Sequence, residues 1–192
     1  MWERGGRPNP PPHPIKQRVL RDFAQNYGLR VFVETGTYYG DMVAAMRPQF
    51  VRLYSIELSA DLHAKTVRRF KGCTNVELIQ GDSGVELGKL LPRLTEPTLF
   101  WLDGHYSAGE TAKGSKDTPI LEELRHILCS ENQGHVIVID DARLFGADAG
   151  YPTISELTAF VKSLRPDVDV AVACDAIRIT PGKKQFETSR RR

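Results

Sequence analysis

The sequence predicts an α/β fold with a doubly wound, mostly parallel sheet of seven strands, an antiparallel last strand, and helices on both faces. Three observations predict it. Short apolar runs alternate with helical stretches along most of the chain, the 192 residues suit one ordinary domain, and the last two apolar runs have hairpin spacing. Because β-α alternation forces right-handed crossovers, the helices should cover both faces of a parallel sheet.

The strand predictions rest on apolar runs that are bounded by Gly, Asp, Asn or Pro, which is typical of buried parallel strands. The five runs are residues 31–33, 53–56, 76–79, 99–102 and 136–139. Apolar residues at three- and four-residue spacing predict helices over 60–70, 118–128 and 154–164. The runs 168–173 and 176–179 are separated by only two residues, so they predict a hairpin whose last strand is antiparallel.

The two ends of the chain differ in composition from the middle. Residues 1–14 are proline-rich and predict an extended tail or strap, whereas 15–181 predict the folded domain. Residues 182–192 are polar and basic with little to bury, so we expect a disordered tail.

Composition also bounds the function. Lys and Arg total 26 against 24 Asp and Glu, mixed along the chain, which argues against a nucleic-acid partner. No apolar stretch suits a membrane span or a secretion signal. A cytoplasmic location is expected, because three widely spaced cysteines without a CxxC pair suit a reducing compartment: Cys73, Cys129 and Cys174.

The loop after the first strand is the first candidate binding element, because ligands of open α/β sheets bind beyond the carboxyl ends of the strands. Glycines at 36 and 40 let the backbone approach a ligand closely. An ordinary tight strand-to-helix turn is the alternative interpretation. The candidate residues are Glu34, Gly36, Thr37, Tyr38 and Gly40.

Acidic and hydroxyl residues follow the next two strands. Glu57 ends the second strand, where a carboxylate can accept both ribose hydroxyls of a nucleoside cofactor; the alternative is a solvated carboxylate near a helix start. Asp82 and Ser83 follow the third strand and can cap a helix, meet an adenine edge, or do both.

Three further acids follow the fourth and fifth strands: Asp103, Asp140 and Asp141. Adjacent strand ends would bring them together, and a divalent cation such as Mg²⁺ would relieve their repulsion. The alternative is that they cap a helix or hold backbone. His105 is the candidate base for a substrate hydroxyl, with a packed or surface histidine as the alternative. The remaining histidines are interpreted as structural: His13, His63, His126 and His135.

With these residues in this order, the chain resembles class I S-adenosylmethionine-dependent methyltransferases. Among them it is similar to metal-dependent O-methyltransferases such as catechol O-methyltransferase and the macrocin-type sugar O-methyltransferases. The resemblance runs from about residue 31 to residue 141. It implies a Rossmann-like fold, S-adenosylmethionine as cofactor, and methyl transfer to a hydroxyl group with the help of Mg²⁺ or another divalent cation.

The resemblance also implies a role for each matched residue. The loop residues Glu34, Gly36, Tyr38 and Gly40, with Thr37 among them, would hold the methionine part of the cofactor. Glu57 falls on the ribose-binding acid, and Ser83, with Asp82 beside it, falls on an adenine contact. Asp103 would serve as cofactor contact, catalytic group and metal ligand, the other two ligands being Asp140 and Asp141.

The chain departs from the catechol enzymes, which carry a catalytic lysine near the position where Ser107 stands here. The pair Asp140-Asp141 looks more like the sugar enzymes, in which the base stands where His105 stands. The chain is shorter than those enzymes. The expected acceptor is therefore a small hydroxylated molecule of sugar or natural-product type.

Two other functions stay open at this point. One is an NAD-dependent Rossmann oxidoreductase, although the first loop departs from GxGxxG. The other is a cofactor-binding module without catalysis. Arg143, Tyr106 and the loop 107–117 are candidates to close over the substrate, and the oligomeric state, including a homodimer, is open.

Overall fold

One seven-stranded sheet forms the centre of the computed structural model, which describes residues 6, 9–104, 118–148 and 150–182. The strands are β1 (Val31–Thr35), β2 (Arg52–Glu57), β3 (Val76–Gln80), β4 (Thr98–Leu102), β5 (Val136–Ile139), β6 (Val168–Ala173) and β7 (Ala176–Pro181). Their order is β3-β2-β1-β4-β5-β7-β6. The strands β1 to β5 pair in parallel, and β7 is antiparallel to both of its neighbours. The predicted fold class is confirmed.

Helices cover both faces of the sheet. They are α1 (His13–Tyr27), α2 (Asp41–Met46), α3 (Ala60–Arg69), α4 (Ser83–Leu90), α5 (Ile120–Leu128) and α6 (Ile154–Leu164). Because successive strand residues point to opposite faces, the sheet feeds two apolar layers. Leu20 of α1 and Met42 of α2 lie in the layer that contains Phe32, whereas Leu87 of α4 and Leu124 of α5 lie in the opposite layer.

Local sequence signals set several helix starts. Thr153 and Glu156 form a reciprocal capping box at α6, in which each side chain accepts a hydrogen bond from the other residue's main chain. Ser59 caps α3 through its hydroxyl oxygen. None of the helices in the described ranges is both long and apolar enough to cross a membrane.

The first helix was not anticipated from the sequence. It begins at His13, within the segment expected to be extended, and Pro14 occupies its first turn, where a missing N–H costs nothing. Leu20 and Ala24 are buried against the sheet, and Gly28 ends the helix in the left-handed conformation. Residues 183–192, the expected C-terminal tail, lie outside the described residues.

The strand order positions the candidate site. Thr35 at the end of β1 is in register with Ile56 of β2 on one side and Leu102 of β4 on the other. Leu102 is in turn in register with Ile139 of β5. The residues that follow these four strands are therefore neighbours along one edge of the sheet.

Candidate functional site

The loop after β1 is folded tightly against the end of β4. Gly36 has φ of 82°, and a Cβ added there would overlap the main-chain oxygen of Asp103 and lie 2.8 Å from its carbonyl carbon. The Asp103 amide donates to the Thr35 carbonyl at 3.1 Å. Only glycine suits this position, because both its backbone conformation and the close approach exclude a side chain. The predicted role of Gly36 in close backbone approach thus has a physical basis.

Glu57 ties this loop to the second strand. Its Oε2 accepts the Tyr38 amide proton at 2.8 Å, and its Oε1 accepts that of Ser59 at 2.9 Å. Tyr38 has φ of 50°, a conformation that non-glycine residues rarely adopt. The carboxylate is buried, not solvated as the alternative interpretation had it. Each carboxylate oxygen of Glu57 can accept a second hydrogen bond, so Glu57 can still accept hydrogen bonds from ribose hydroxyls as predicted.

Glu34 lies in a buried polar network under the same loop. The Ser55 hydroxyl donates to Glu34 Oε2 at 2.5 Å, and the Thr37 and Ser55 hydroxyl oxygens are 2.6 Å apart. Burial raises the pKa of Glu34 well above its ordinary value, against the hydrogen bond from Ser55, and the charges of Asp103 and Glu57 raise it further. The carboxyl groups of Glu57 and Asp103 are therefore close enough to Glu34 to influence its ionisation. A cation bound there would meet the carboxylates of Glu57 and Asp103 and would favour the ionised form of Glu34.

Asp82 and Ser83 lie at the end of β3 and the start of α4. Asp82 caps α4, since its Oδ1 accepts the Gly84 amide proton at 2.9 Å. Ser83 is buried and hydrogen-bonds to Glu123, a residue of α5 that is itself buried. Burial raises the pKa of Glu123 to about 7, against the hydrogen bond from Ser83. The capping interpretation of Asp82 is confirmed, and an adenine contact stays a prediction.

The three predicted metal ligands do come together. One carboxylate oxygen from each of Asp103, Asp140 and Asp141 lies within 4.8 Å of the others. Oxygen donors are what Mg²⁺ prefers, and Oδ1 of Asp140 is buried with no hydrogen-bond partner among the described residues. Burial, Asp103 and Asp141 raise the pKa of Asp140 to about 7, against the effect of Lys16. The donor set therefore fits a hard divalent cation.

Two basic side chains already contact these acids. Lys16 of α1 forms an ion pair with Oδ2 of Asp140, and its Nζ lies 3.7 Å from Oδ1 of Asp141. Arg143 donates to the same Asp141 oxygen at 2.7 Å and also pairs with Asp175. We call the group formed by Asp103, Asp140 and Asp141 the acidic cluster. Lys16 is a cation in direct contact with this cluster.

A small open pocket lies beside the acidic cluster, between the ends of β4 and β5 and the start of α5. Asp140, Gly104 and Tyr151 are among its lining residues. Burial raises the pKa of Tyr151 to about 12, against the hydrogen bond from Thr118, so its phenol stays neutral. The pocket offers a hydroxyl group and carboxylates to a polar ligand.

Some of the predicted residues cannot be placed. His105, Tyr106 and the loop 107–117 lie outside the described residues, so the base and most of the predicted closing loop stay predictions. Lys16 and Glu123 were missed in the sequence, as was Tyr151. The only sequence signal for Lys16 is indirect, since apolar residues at helical spacing, Ile15, Val19, Leu20 and Phe23, predict that this segment packs as a helix.

No protein-family model matches the chain, and no curated protein sequence matches it. Solved structures match well. The O-methyltransferase from Bacillus cereus, in complex with S-adenosylhomocysteine, has a TM-score of 0.65 at 16% identity, and the match covers 92% of this chain and 84% of that one. TomG from Streptomyces achromogenes, an O-methyltransferase involved in tomaymycin synthesis and bound to S-adenosylmethionine, has a TM-score of 0.61 at 20% identity, covering 94% and 85%.

An N-methyltransferase is also similar. NodS from Bradyrhizobium japonicum, in complex with S-adenosylhomocysteine, has a TM-score of 0.58 at 12% identity, covering 86% of this chain and 85% of that one. At these identities the likeness establishes the fold: the chain has the Rossmann-like fold of class I methyltransferases. Since the neighbours methylate different kinds of atom, the fold alone does not fix the acceptor.

Proposed function

We propose that this chain is an S-adenosylmethionine-dependent methyltransferase that methylates an oxygen of a small hydroxylated molecule, of sugar or natural-product type. The observation that carries the proposal is the loop after β1. There Gly36 packs on the main chain of Asp103, and the buried carboxyl groups of Glu34 and Glu57 lie beneath the loop. This arrangement combines close backbone approach with negative charge.

Charge complementarity favours this cofactor. S-adenosylmethionine carries a positive sulfonium and a positive amino group, and its ribose offers two hydroxyl donors. The carboxylates of Glu57 and Asp103 stabilise these positive groups, and a bound cation would in turn favour the ionised form of Glu34, whose pKa is raised by burial. The remaining acceptor positions of Glu57 suit the hydroxyls.

The start of α2 disfavours the oxidoreductase alternative. NAD places its pyrophosphate at the amino end of the helix that follows the glycine loop, where main-chain N–H groups and the helix dipole attract an anion. Here α2 has only six residues and begins with Asp41. An acidic first residue, even one paired with Arg69, makes this helix start less favourable for a pyrophosphate.

In the proposed reaction the acceptor oxygen attacks the sulfonium methyl group in line. A carbon–oxygen bond forms, the carbon–sulfur bond breaks, and the sulfur keeps the electron pair, leaving neutral S-adenosylhomocysteine. The protein's main contribution is to align the two reactants and exclude water. Tyr151 lines the pocket as a neutral hydrogen-bonding group, and His105 is proposed as the acceptor of the hydroxyl proton.

The acidic cluster supplies the proposed metal ligands, Asp103, Asp140 and Asp141. A bound Mg²⁺ would lower the pKa of the acceptor hydroxyl and hold it near the methyl donor. The carboxylates orient that hydroxyl in either case, because they accept its hydrogen bond until the proton leaves.

The composition of the chain supports the proposed type of acceptor and the proposed location. A small-molecule acceptor is favoured over nucleic acid, because basic and acidic residues are nearly equal in number. The cysteines at 73, 129 and 174 are all free, which suits the proposed cytoplasmic location.

The test is transfer of an isotopically labelled methyl group from S-adenosylmethionine to a panel of sugars and phenolic natural products, with and without a chelator. Labelled product from the wild type, with strongly reduced labelling for Asp103→Asn, supports the proposal. Tight cofactor binding with no labelled product from any acceptor would favour a binding module without catalysis. Absence of cofactor binding overturns the proposal.

A further inference from the structure

Lys16 reaches the acidic cluster from a distant part of the chain. It lies on α1, 124 residues before its partner Asp140, and its side chain is only 16% exposed. Its ammonium group also lies 5.9 Å from the centre of the Trp101 ring. An ammonium that is buried over an aromatic face and paired with a buried carboxylate is a fixed part of the structure, not a solvated surface charge.

The charge balance of the acidic cluster explains why a cation stands there. Asp140 and Asp141 are both buried, and one oxygen of each lies within 4.8 Å of an oxygen of Asp103. Arg143 shares its charge between Asp141 and Asp175, so it compensates the cluster only in part. Carboxylates this close repel one another unless a cation lies among them, and Lys16 is the cation that contacts Asp140 within the described part of the chain.

We propose that Lys16 and a divalent metal ion compete for the acidic cluster, so that Lys16 must leave Asp140 before the ion is held. The inference rests on the proposed function for the identity of the metal ligands. Lys16 occupies Oδ2 of Asp140 and lies within ion-pair distance of Asp141, so it uses acceptor positions on two of the three ligands. An ion that used the unpartnered Oδ1 of Asp140 would still lie close to the Lys16 ammonium, which is a like charge.

The competition couples metal binding to α1. Lys16 lines a pocket together with Ile15 and Val19 of α1, and its ammonium lies over the Trp101 ring of β4. When Lys16 leaves the cluster, the contact between its ammonium and the Trp101 ring is lost. The chain has two tryptophans, Trp2 and Trp101, so a Trp2→Phe background makes Trp101 a single reporter of this event.

The main test measures binding of Mn²⁺ alone by electron paramagnetic resonance, in which the signal of free Mn²⁺ falls as the ion binds. Lys16→Met keeps most of the apolar stem and removes the charge, and we expect it to bind Mn²⁺ about tenfold or more tightly than the wild type. Lys16→Arg keeps the charge and should bind as weakly as the wild type. Lys89→Met is the matched control, because Lys89 is an exposed lysine of α4 whose ion pair is with Glu86 and not with the acidic cluster.

Two results would overturn the inference: equal Mn²⁺ affinity in the wild type and Lys16→Met, or no detectable Mn²⁺ binding to Lys16→Met. Titration of the Trp2→Phe protein with Mg²⁺ provides a second readout that does not require removal of Lys16. We expect Trp101 emission of the metal-free Trp2→Phe protein to change over the same range of Mg²⁺ concentration in which Mg²⁺ displaces Mn²⁺ in a separate competition experiment. Displacement of Mn²⁺ without any emission change contradicts the inference.

S-adenosylhomocysteine binding, measured on the same samples, separates this inference from the proposed function. If the wild type binds S-adenosylhomocysteine and Lys16→Met has unchanged Mn²⁺ affinity, only the competition is wrong. If no variant binds S-adenosylhomocysteine, the proposed function is wrong whatever the metal data show.

Discussion

The main-chain amide of Tyr38 donates a hydrogen bond of 2.8 Å to Oε2 of Glu57. This contact joins the loop after the first strand to the end of the second, and it holds Tyr38 in the left-handed conformation with φ of 50°. A residue predicted as a ribose contact therefore also fixes the shape of the loop predicted to hold the methionine part of the cofactor.

Replacing Glu57 with Gln tests this double role. The Gln NH₂ group would face a main-chain N–H of Tyr38 or Ser59, so one of the two hydrogen bonds is lost. We expect the Kd for S-adenosylhomocysteine, measured by calorimetry, to rise about tenfold or more, since a hydrogen bond to a charged group is worth about 1.5–3 kcal/mol. Glu77→Gln, which changes an exposed acid paired with Arg93, should leave the Kd unchanged. An unchanged Kd for Glu57→Gln would show that the carboxylate is dispensable.

Replacing Gly36 with Ala tests the close approach of the first loop to β4. Gly36 and Gly72 have nearly the same φ, 82° and 85°, but a Cβ at Gly72 meets nothing within 4 Å. Gly72→Ala should therefore cost only the left-handed strain, about 1–2 kcal/mol. Gly36→Ala should cost more and also abolish S-adenosylhomocysteine binding, because the loop must move away from Asp103. Urea denaturation and calorimetry measure both effects, and equal behaviour of the two variants would contradict the close packing.

Glu123 predicts how stability depends on pH. Its pKa in the folded protein is about 7, above the ordinary 4.5, so the unfolded chain loses its proton first as pH rises. The contribution of Glu123 to stability is full below about pH 4.5 and is lost as pH rises through 7. Glu123→Gln cannot ionise, so its free energy of unfolding relative to wild type should rise between pH 5 and pH 8 by about 1–3 kcal/mol.

The control for that experiment is Glu131→Gln, an exposed position in the loop before β5. Its free energy of unfolding should follow that of the wild type across the same pH range. If the free energy of unfolding of Glu123→Gln also follows that of the wild type, Glu123 is ionised in the folded protein at neutral pH. Its burial then does not raise its pKa.

His135 should remain neutral in the folded protein to about pH 4. Burial, together with the charge of Arg165, lowers the pKa of His135 to about 4, and its Nδ1 accepts the Thr98 amide proton at 3.1 Å. Because the unfolded chain takes up this proton near pH 6.5, the contribution of His135 to stability is lost as pH falls from about 6.5 to 4. NMR titration of the imidazole should show a neutral ring with its proton on Nε2, and titration near pH 6.5 would contradict the structure.

The fold could be predicted because its signals are local. Apolar runs of four or five residues between Gly, Asp and Asn specify strands such as β5, and the two-residue connection at Cys174 and Asp175 specifies the hairpin of β6 and β7. The helix α1 was missed because a proline-rich segment leads into it. In addition, its stability depends on burying its apolar face against the sheet, which the local sequence does not show.

The candidate site was predictable to the extent that it follows from strand order. Asp103 and Asp140 directly follow the neighbouring parallel strands β4 and β5, and Glu57 ends β2, which only β1 separates from β4, so their position at one edge follows once the sheet is recognised. Lys16 could not be predicted in the same way, because its position depends on how α1 packs across the sheet, and no short motif encodes that packing. Glu123 was hidden for a related reason: its burial depends on the packing of α5 against α4.

Calorimetry of the folded chain with S-adenosylhomocysteine, and separately with NAD, tests the central claim most directly. We expect saturable heat with S-adenosylhomocysteine at one molecule per chain and none with NAD. Heat with NAD alone, or no heat with either S-adenosylhomocysteine or S-adenosylmethionine, would contradict the account.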